Sequence, residues 1–163
     1  MRSVTLIIDG SSEHRACHPR LARRVRGSHA VKYVLIAEDD PDIAQLLAEE
    51  IGERLYVATH VVANGALVPE ALAARRPDLL ILDLALPGLS GQDVFDLLRS
   101  DPQWQGVPVL FITATPDRLD PNTLTDHRVI AKPFDVDELV RAVDAIVDGP
   151  REVTTQPGLV PAA

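Results

Sequence analysis

Four places in this 163-residue chain carry side chains that could do chemistry together. Glu38, Asp39 and Asp40 follow the apolar run Tyr33 to Ala37, Asp83 follows Asp78 to Leu82, Thr113 follows Val107 to Ile112, and Lys132 follows Arg128 to Ala131, just ahead of Pro133 and Phe134. Singly, each has an ordinary duty: Asp40 caps a helix, Asp83 ends a strand, Thr113 turns the chain and Lys132 is a solvated charge. Jointly they are a set of hard oxygens and one ammonium. Two or three carboxylates at one edge repel one another unless a cation neutralises them, and an all-oxygen donor set favours an ion such as Mg2+. The pattern therefore implies a divalent metal with a lysine beside it, provided the fold gathers these positions.

The elements that would gather them alternate between strand and helix. Tyr33 to Ala37 reads as a strand, and Asp40 with Pro41 fits a helix N-cap followed by proline at the first helical position. Ile43, Leu46, Leu47 and Ile51 then recur at helical spacing. Arg54 to Val62 reads as a second strand, Leu67 to Arg76 as a helix stopped by Pro77, and Asp78 to Leu82 as a third strand. Pro87-Gly88 marks a turn, Ser90 caps a helix through Ser100 with Val94, Leu97 and Leu98 on one side, and Val107 to Ile112 is a fourth strand. Arg128 to Ala131 is a short fifth strand. Asp135 caps a last helix with Leu139, Val143, Ile146 and Val147 on one face. Apolar strands separated by helices call for a parallel α/β sheet covered on both sides, in which ligands bind at the carboxyl ends of the strands.

Composition removes several classes. The net charge is −8 at neutral pH and 46% of the residues are apolar, enough for a sizeable core in one domain. The single cysteine, Cys17, excludes an internal disulfide and lies apart from the motifs. No apolar run approaches the roughly 20 residues of a membrane span, so a soluble, cytoplasmic protein without membrane contact is expected. Residues 31–148 carry 21 acidic against 9 basic side chains, which argues against nucleic acid as a partner. Residues 1–30, with six arginines against Asp9 and Glu13, are expected to be a flexible basic extension. In it Met1 to Asp9 has the pattern of a short strand, and Arg26-Gly27-Ser28-His29 resembles a cloning scar. Residues 149–163 are expected to be a flexible tail, too short for an effector domain. Gly88 and Gly91 read as turn glycines, since no G-x-G-x-x-G fingerprint occurs. Trp104 is expected to pack against a helix end, and His127 to be a solvated surface histidine.

Four ordered motifs resemble those of bacterial response-regulator receiver domains: Ile36-Ala37-Glu38-Asp39-Asp40-Pro41, Asp78 to Gly91 (DLLILDLALPGLSG), Ile112-Thr113-Ala114 and Ala131-Lys132-Pro133-Phe134. The resemblance covers about residues 31–148. It implies a flavodoxin-like doubly wound sheet of five parallel strands in the order 2-1-3-4-5. It further implies that Asp83 is a phosphoacceptor, with Glu38, Asp39, Asp83 and the backbone carbonyl of Ala85 holding Mg2+. Thr113 and Lys132 would contact the phosphoryl group, and Lys132-Pro133 would be cis. The expected partners are a sensor histidine kinase or phosphotransfer protein and a downstream protein target, and a homodimer is compatible with the resemblance, since family receivers often dimerise.

The sequence departs from that family at three points, the mildest being Glu38 in place of the first aspartate, whose longer carboxylate can still reach a metal directly or through water. Where receivers commonly carry Tyr or Phe three residues before the lysine, this chain has Val129. The segment from Ala114 to Ala131 is a few residues short and contains Pro116 and Pro121, so the family's fourth helix is expected to be short or irregular. Three readings follow: a stand-alone phosphoacceptor signalling by protein contact, a phosphate-independent adaptor, and a small aspartyl-phosphate phosphohydrolase. The last ranks lowest, because Ala85 stands where such enzymes carry a second acid.

Overall fold

Five-residue apolar strands form the centre of the molecule, and their burial on both faces follows from their composition. A computed structural model of the chain describes residues 31–119 and 127–149. Within them the strands are β1 (Tyr33–Ala37), β2 (Ala58–Val62), β3 (Leu79–Asp83), β4 (Val109–Thr113) and β5 (Arg128–Ala131). They form one parallel sheet in the order β2-β1-β3-β4-β5. The expected topology is therefore present. Every residue of β1, β3 and β4 is buried, which is why these strands read as unbroken apolar runs rather than alternating ones.

The described α-helices are α1 (Pro41–Leu55), α2 (Val68–Ala74), α3 (Gly91–Ser100) and α4 (Val136–Val147). Helices α1 and α4 set Leu47, Ile51, Leu139 and Val143 against Val34, Ile36, Ile81, Leu110 and Ile112 on one face of the sheet. Helices α2 and α3 set Leu72, Val94 and Leu98 against Leu35, Leu80, Leu82 and Phe111 on the other. Each such large apolar side chain contributes about 1.5–3 kcal/mol when fully buried.

Capping chemistry fixes the helix starts. Asp40 accepts hydrogen bonds from the Asp42 and Ile43 amides ahead of α1. Ser90 and Asp93 form a reciprocal capping box on α3, and Asp135 accepts from the Glu138 amide on α4.

Boundaries differ from the sequence reading by more than one residue in three places. The second strand starts at Ala58 rather than Arg54, because α1 continues to Leu55 and ends on Tyr56 in the left-handed conformation (φ 55°). The second helix spans only Val68–Ala74, preceded by a 3-10 turn at Gly65–Leu67, and the chain is already extended at Arg75, two residues before Pro77. The fourth strand starts at Val109, past Pro108, which has no amide hydrogen to donate to a ladder. A 3-10 turn at Pro116–Arg118 follows β4. The expected basic extension at residues 1–30, the expected tail beyond Gly149 and residues 120–126, where a short or irregular fourth helix is expected, lie outside the described residues. None of the described helices is long and apolar enough to cross a membrane.

Candidate functional site

Parallel topology puts the carboxyl ends of all five strands at one edge, and four of the five end in the polar groups singled out by their type. Glu38 follows β1, Asp83 ends β3, Thr113 ends β4 and Lys132 follows β5. Glu38, Asp83 and Thr113 are buried, with relative exposures of 2%, 4% and 0%, while Asp39 is exposed.

Lys132 ties the edge together. Its Nζ donates to Glu38 Oε2 at 2.7 Å and to Asp83 Oδ2 at 2.6 Å. The Lys132 amide donates to the Thr113 carbonyl at 2.8 Å, holding the lysine beside β4, and the Lys132-Pro133 peptide is cis, as the resemblance implied. The other carboxylate oxygens are also satisfied: Asp83 Oδ1 accepts from the Ala85 amide at 3.0 Å, and Glu38 Oε1 from the Asp40 amide at 3.2 Å. Thr113 Oγ1 accepts from the Thr115 amide at 3.1 Å and lies 3.4 Å from Thr115 Oγ1, a pair in which either hydroxyl can donate.

Burial raises the Glu38 pKa, with the nearby Asp83 charge adding to it, against the pull of Lys132. Burial alone would depress the Lys132 pKa, but its hydrogen bonds and charge pairing with Asp83 and Glu38 outweigh that, and the net shift is upward. The ammonium is thus held charged between two acids.

Glu38, Asp39 and Asp83 each offer a carboxylate oxygen, and the three oxygens lie within 4.8 Å of one another. A single lysine cannot neutralise three carboxylates. A hard divalent cation fits both the donor chemistry and the residual charge. All six positions singled out from sequence, Glu38, Asp39, Asp83, Ala85, Thr113 and Lys132, fall at this one edge.

Gly91 is a structural contributor that the sequence reading took for a turn glycine. It is the first residue of α3, and its amide donates to the Leu84 carbonyl at 3.1 Å. A Cβ there would collide with the Asp83 carbonyl oxygen and Leu84 Cα. The start of α3 therefore lies directly on the backbone that presents Asp83. Gly88, by contrast, is a turn glycine with φ 77°.

His127 is not the solvated histidine expected. Its ring packs edge-on to Phe95 at 4.9 Å and to Phe111 at 6.2 Å. Val129, in register with Phe111, packs against the same apolar cluster. Trp104 is buried just beyond the end of α3, as expected.

A family model for the response regulator receiver domain matches residues 34–144. The DNA-binding response regulator MtrA of Mycolicibacterium smegmatis is 37% identical over 118 residues, which cover 69% of this chain and 49% of MtrA. The hybrid signal transduction histidine kinase D of Dictyostelium discoideum is 33% identical over 120 residues, 71% of this chain but 8% of that protein. The chain thus spans about half the length of one of these relatives and a small part of the other. Among solved structures, the receiver domain of the Pseudomonas aeruginosa PAO1 sensor histidine kinase PA1611 superposes with a TM-score of 0.62 at 26% identity. It covers 73% of this chain and 99% of that one, and a magnesium ion is coordinated in its active-site cleft.

Proposed function

We propose, from the premise that this chain belongs to the response regulator receiver domain family, that Asp83 accepts a phosphoryl group and that the phosphorylated domain signals by protein contact. The observation that carries this reading is the Lys132 ammonium bridging the buried carboxylates of Asp83 and Glu38. The donor is a phosphohistidine on a sensor kinase or phosphotransfer protein, or a small acyl phosphate. An Asp83 oxygen attacks phosphorus, the bond from phosphorus to the donor breaks, and the donor leaves with its electron pair. Phosphoryl transfer depends mainly on positioning and charge stabilisation. The Ala85 amide and Lys132 hold the Asp83 carboxylate by its two oxygens. Lys132 then pairs with a phosphoryl oxygen, and Thr113 donates its hydroxyl hydrogen to another.

Glu38, Asp39, Asp83 and the Ala85 carbonyl would hold Mg2+, which supplies positive charge against the incoming phosphoryl oxygens. The magnesium-bound receiver of PA1611 supports this assignment.

The acidic balance of residues 31–148 favours a protein over nucleic acid as the direct partner of this domain. That argument concerns this domain alone, since the MtrA relative is a DNA-binding regulator twice as long as the matched region. Action of residues 31–148 in the cytoplasm is part of the proposal. A second reading, a phosphate-independent adaptor, is favoured by one observation: Val129 supplies no aromatic ring to follow Thr113 inward.

The test is intact mass after incubation with acetyl phosphate and Mg2+, for the wild type beside Asp83→Ala. One phosphoryl adduct on the wild type and none on the variant is expected. No adduct on the wild type overturns the phosphoacceptor reading, and an adduct that leaves the backbone amide spectrum unchanged selects the adaptor. Release of phosphate well beyond one equivalent would instead identify a phosphohydrolase.

A further inference from the structure

At the opposite end of the sheet from Asp83, where β4 and β5 begin, a cleft of about 320 Å3 is lined by Arg99, Gln105, Val107, His127, Arg128 and Ile146 among others. Among the described residues no carboxylate contributes to its wall, although acids outnumber bases by more than two to one across residues 31–148. The two arginines come from different elements, Arg99 near the end of α3 and Arg128 at the start of β5.

Arg99 is fixed in place before any ligand arrives. Its guanidinium donates to the carbonyls of Gln105 and Val107 and lies 4.8 Å from the centre of the Phe95 ring. Gln105 Nε2 donates back to the Arg99 carbonyl at 2.9 Å, closing the loop onto the helix. These bonds go to neutral acceptors, so the charge itself is not balanced. Arg128 is exposed, and neither arginine is paired with a carboxylate among the described residues. Partial burial also lowers the Arg99 pKa, a sign that this cation is short of solvent.

Guanidinium groups present planar arrays of donors that match phosphate and carboxylate oxygens. The rest of the wall is suited to something less polar. Val107 is buried, Ile146 is half-buried, and the His127 ring continues into the Phe95 and Phe111 cluster. We propose that this cleft binds a small organic anion, a phosphate or carboxylate group carried on an apolar or aromatic body. The head group sits between Arg99 and Arg128, and the body lies against Val107 and Ile146.

Trp104, the only tryptophan of the chain, precedes Gln105 and is buried beside this loop, so it serves as a built-in reporter. The experiment titrates the full chain with phenyl phosphate, benzoate and inorganic phosphate at constant ionic strength. Trp104 fluorescence is followed, with calorimetry as the second readout. Saturable binding of phenyl phosphate or benzoate is expected, at least about tenfold tighter than inorganic phosphate because only the former two bury a ring. The tighter of the two aromatic probes identifies the head group. Arg128→Glu is expected to weaken that probe by about tenfold or more, while labelling of Asp83 by acetyl phosphate stays at the wild-type rate and shows that the variant is folded. Absence of both a fluorescence change and heat with all three probes at millimolar concentration overturns the proposal. So does unchanged affinity in Arg128→Glu, or inorganic phosphate binding as tightly as phenyl phosphate.

Discussion

Replacing Gly91 by alanine isolates the contact between the start of α3 and the backbone of Asp83. The added Cβ would be driven into the Asp83 carbonyl oxygen and Leu84 Cα. Both are main-chain atoms where β3 ends, at two buried residues, so no flexible side chain can yield. Overpacking of this kind costs about 1–3 kcal/mol. The opposing gain is the helix propensity of alanine over glycine, at most about 1 kcal/mol in a helix interior and less at the first helical position. The clash wins, leaving a net loss of about 1–2 kcal/mol. With a urea slope of about 2 kcal/mol per molar, the unfolding midpoint should fall by about 0.5–1 M. Whatever shift relieves the clash also moves the Asp83 carboxylate relative to Lys132, and small misplacements of reacting groups are costly. Acetyl phosphate labelling should therefore slow by about tenfold. A variant with an unchanged or higher midpoint and wild-type labelling would refute the argument, because it would mean that α3 and Asp83 move independently.

Lys132→Met removes the only ammonium between two buried carboxylates. Without metal it should lose about 3–5 kcal/mol, and Mg2+ should restore much of the loss. Thermal melts in EDTA and in Mg2+ check this, and equal melting of variant and wild type in EDTA would contradict it. Tyr56→Gly should stabilise by about 0.5–1 kcal/mol in urea unfolding, because Tyr56 holds a left-handed conformation while 78% exposed and so loses little packing. Thr59→Val should leave stability unchanged or raise it by about 1 kcal/mol, because the buried Thr59 hydroxyl has no hydrogen-bond partner among the described residues; a clear loss in the same assay would show that the hydroxyl is satisfied.

The site was legible in the sequence because parallel topology reduces it to a one-dimensional pattern: polar residues immediately after apolar runs. Glu38, Asp83, Thr113 and Lys132 could each be found by that rule, and buried strands announce themselves by unbroken apolar character. What stayed hidden depends on contacts between segments far apart in sequence. Gly91 looks like any glycine after Pro87-Gly88 until β3 is placed against it. His127 looks solvated because Phe95 and Phe111 lie on other elements. The end of α1 was misplaced because a tyrosine takes the left-handed position that glycine usually marks. Leu46, which the helical spacing put on the inner face, is partly exposed at 38%, whereas Ala44 and Ala48 are buried.

The strand order also bears on how the molecule comes together. No two neighbouring strands are joined by a hairpin, so every pairing closes a long loop, which makes assembly slow relative to helical or hairpin-rich domains. The acids of the site come from the adjacent central strands β1 and β3, whereas their ammonium arrives with β5, an edge strand and the last of the described strands. If the sheet grows outward from its middle, the carboxylates meet before their counter-charge does. Completion of the phosphoacceptor pocket and closure of the sheet edge are then a single late event in folding, and a domain that has reached its native state has already loaded its lysine.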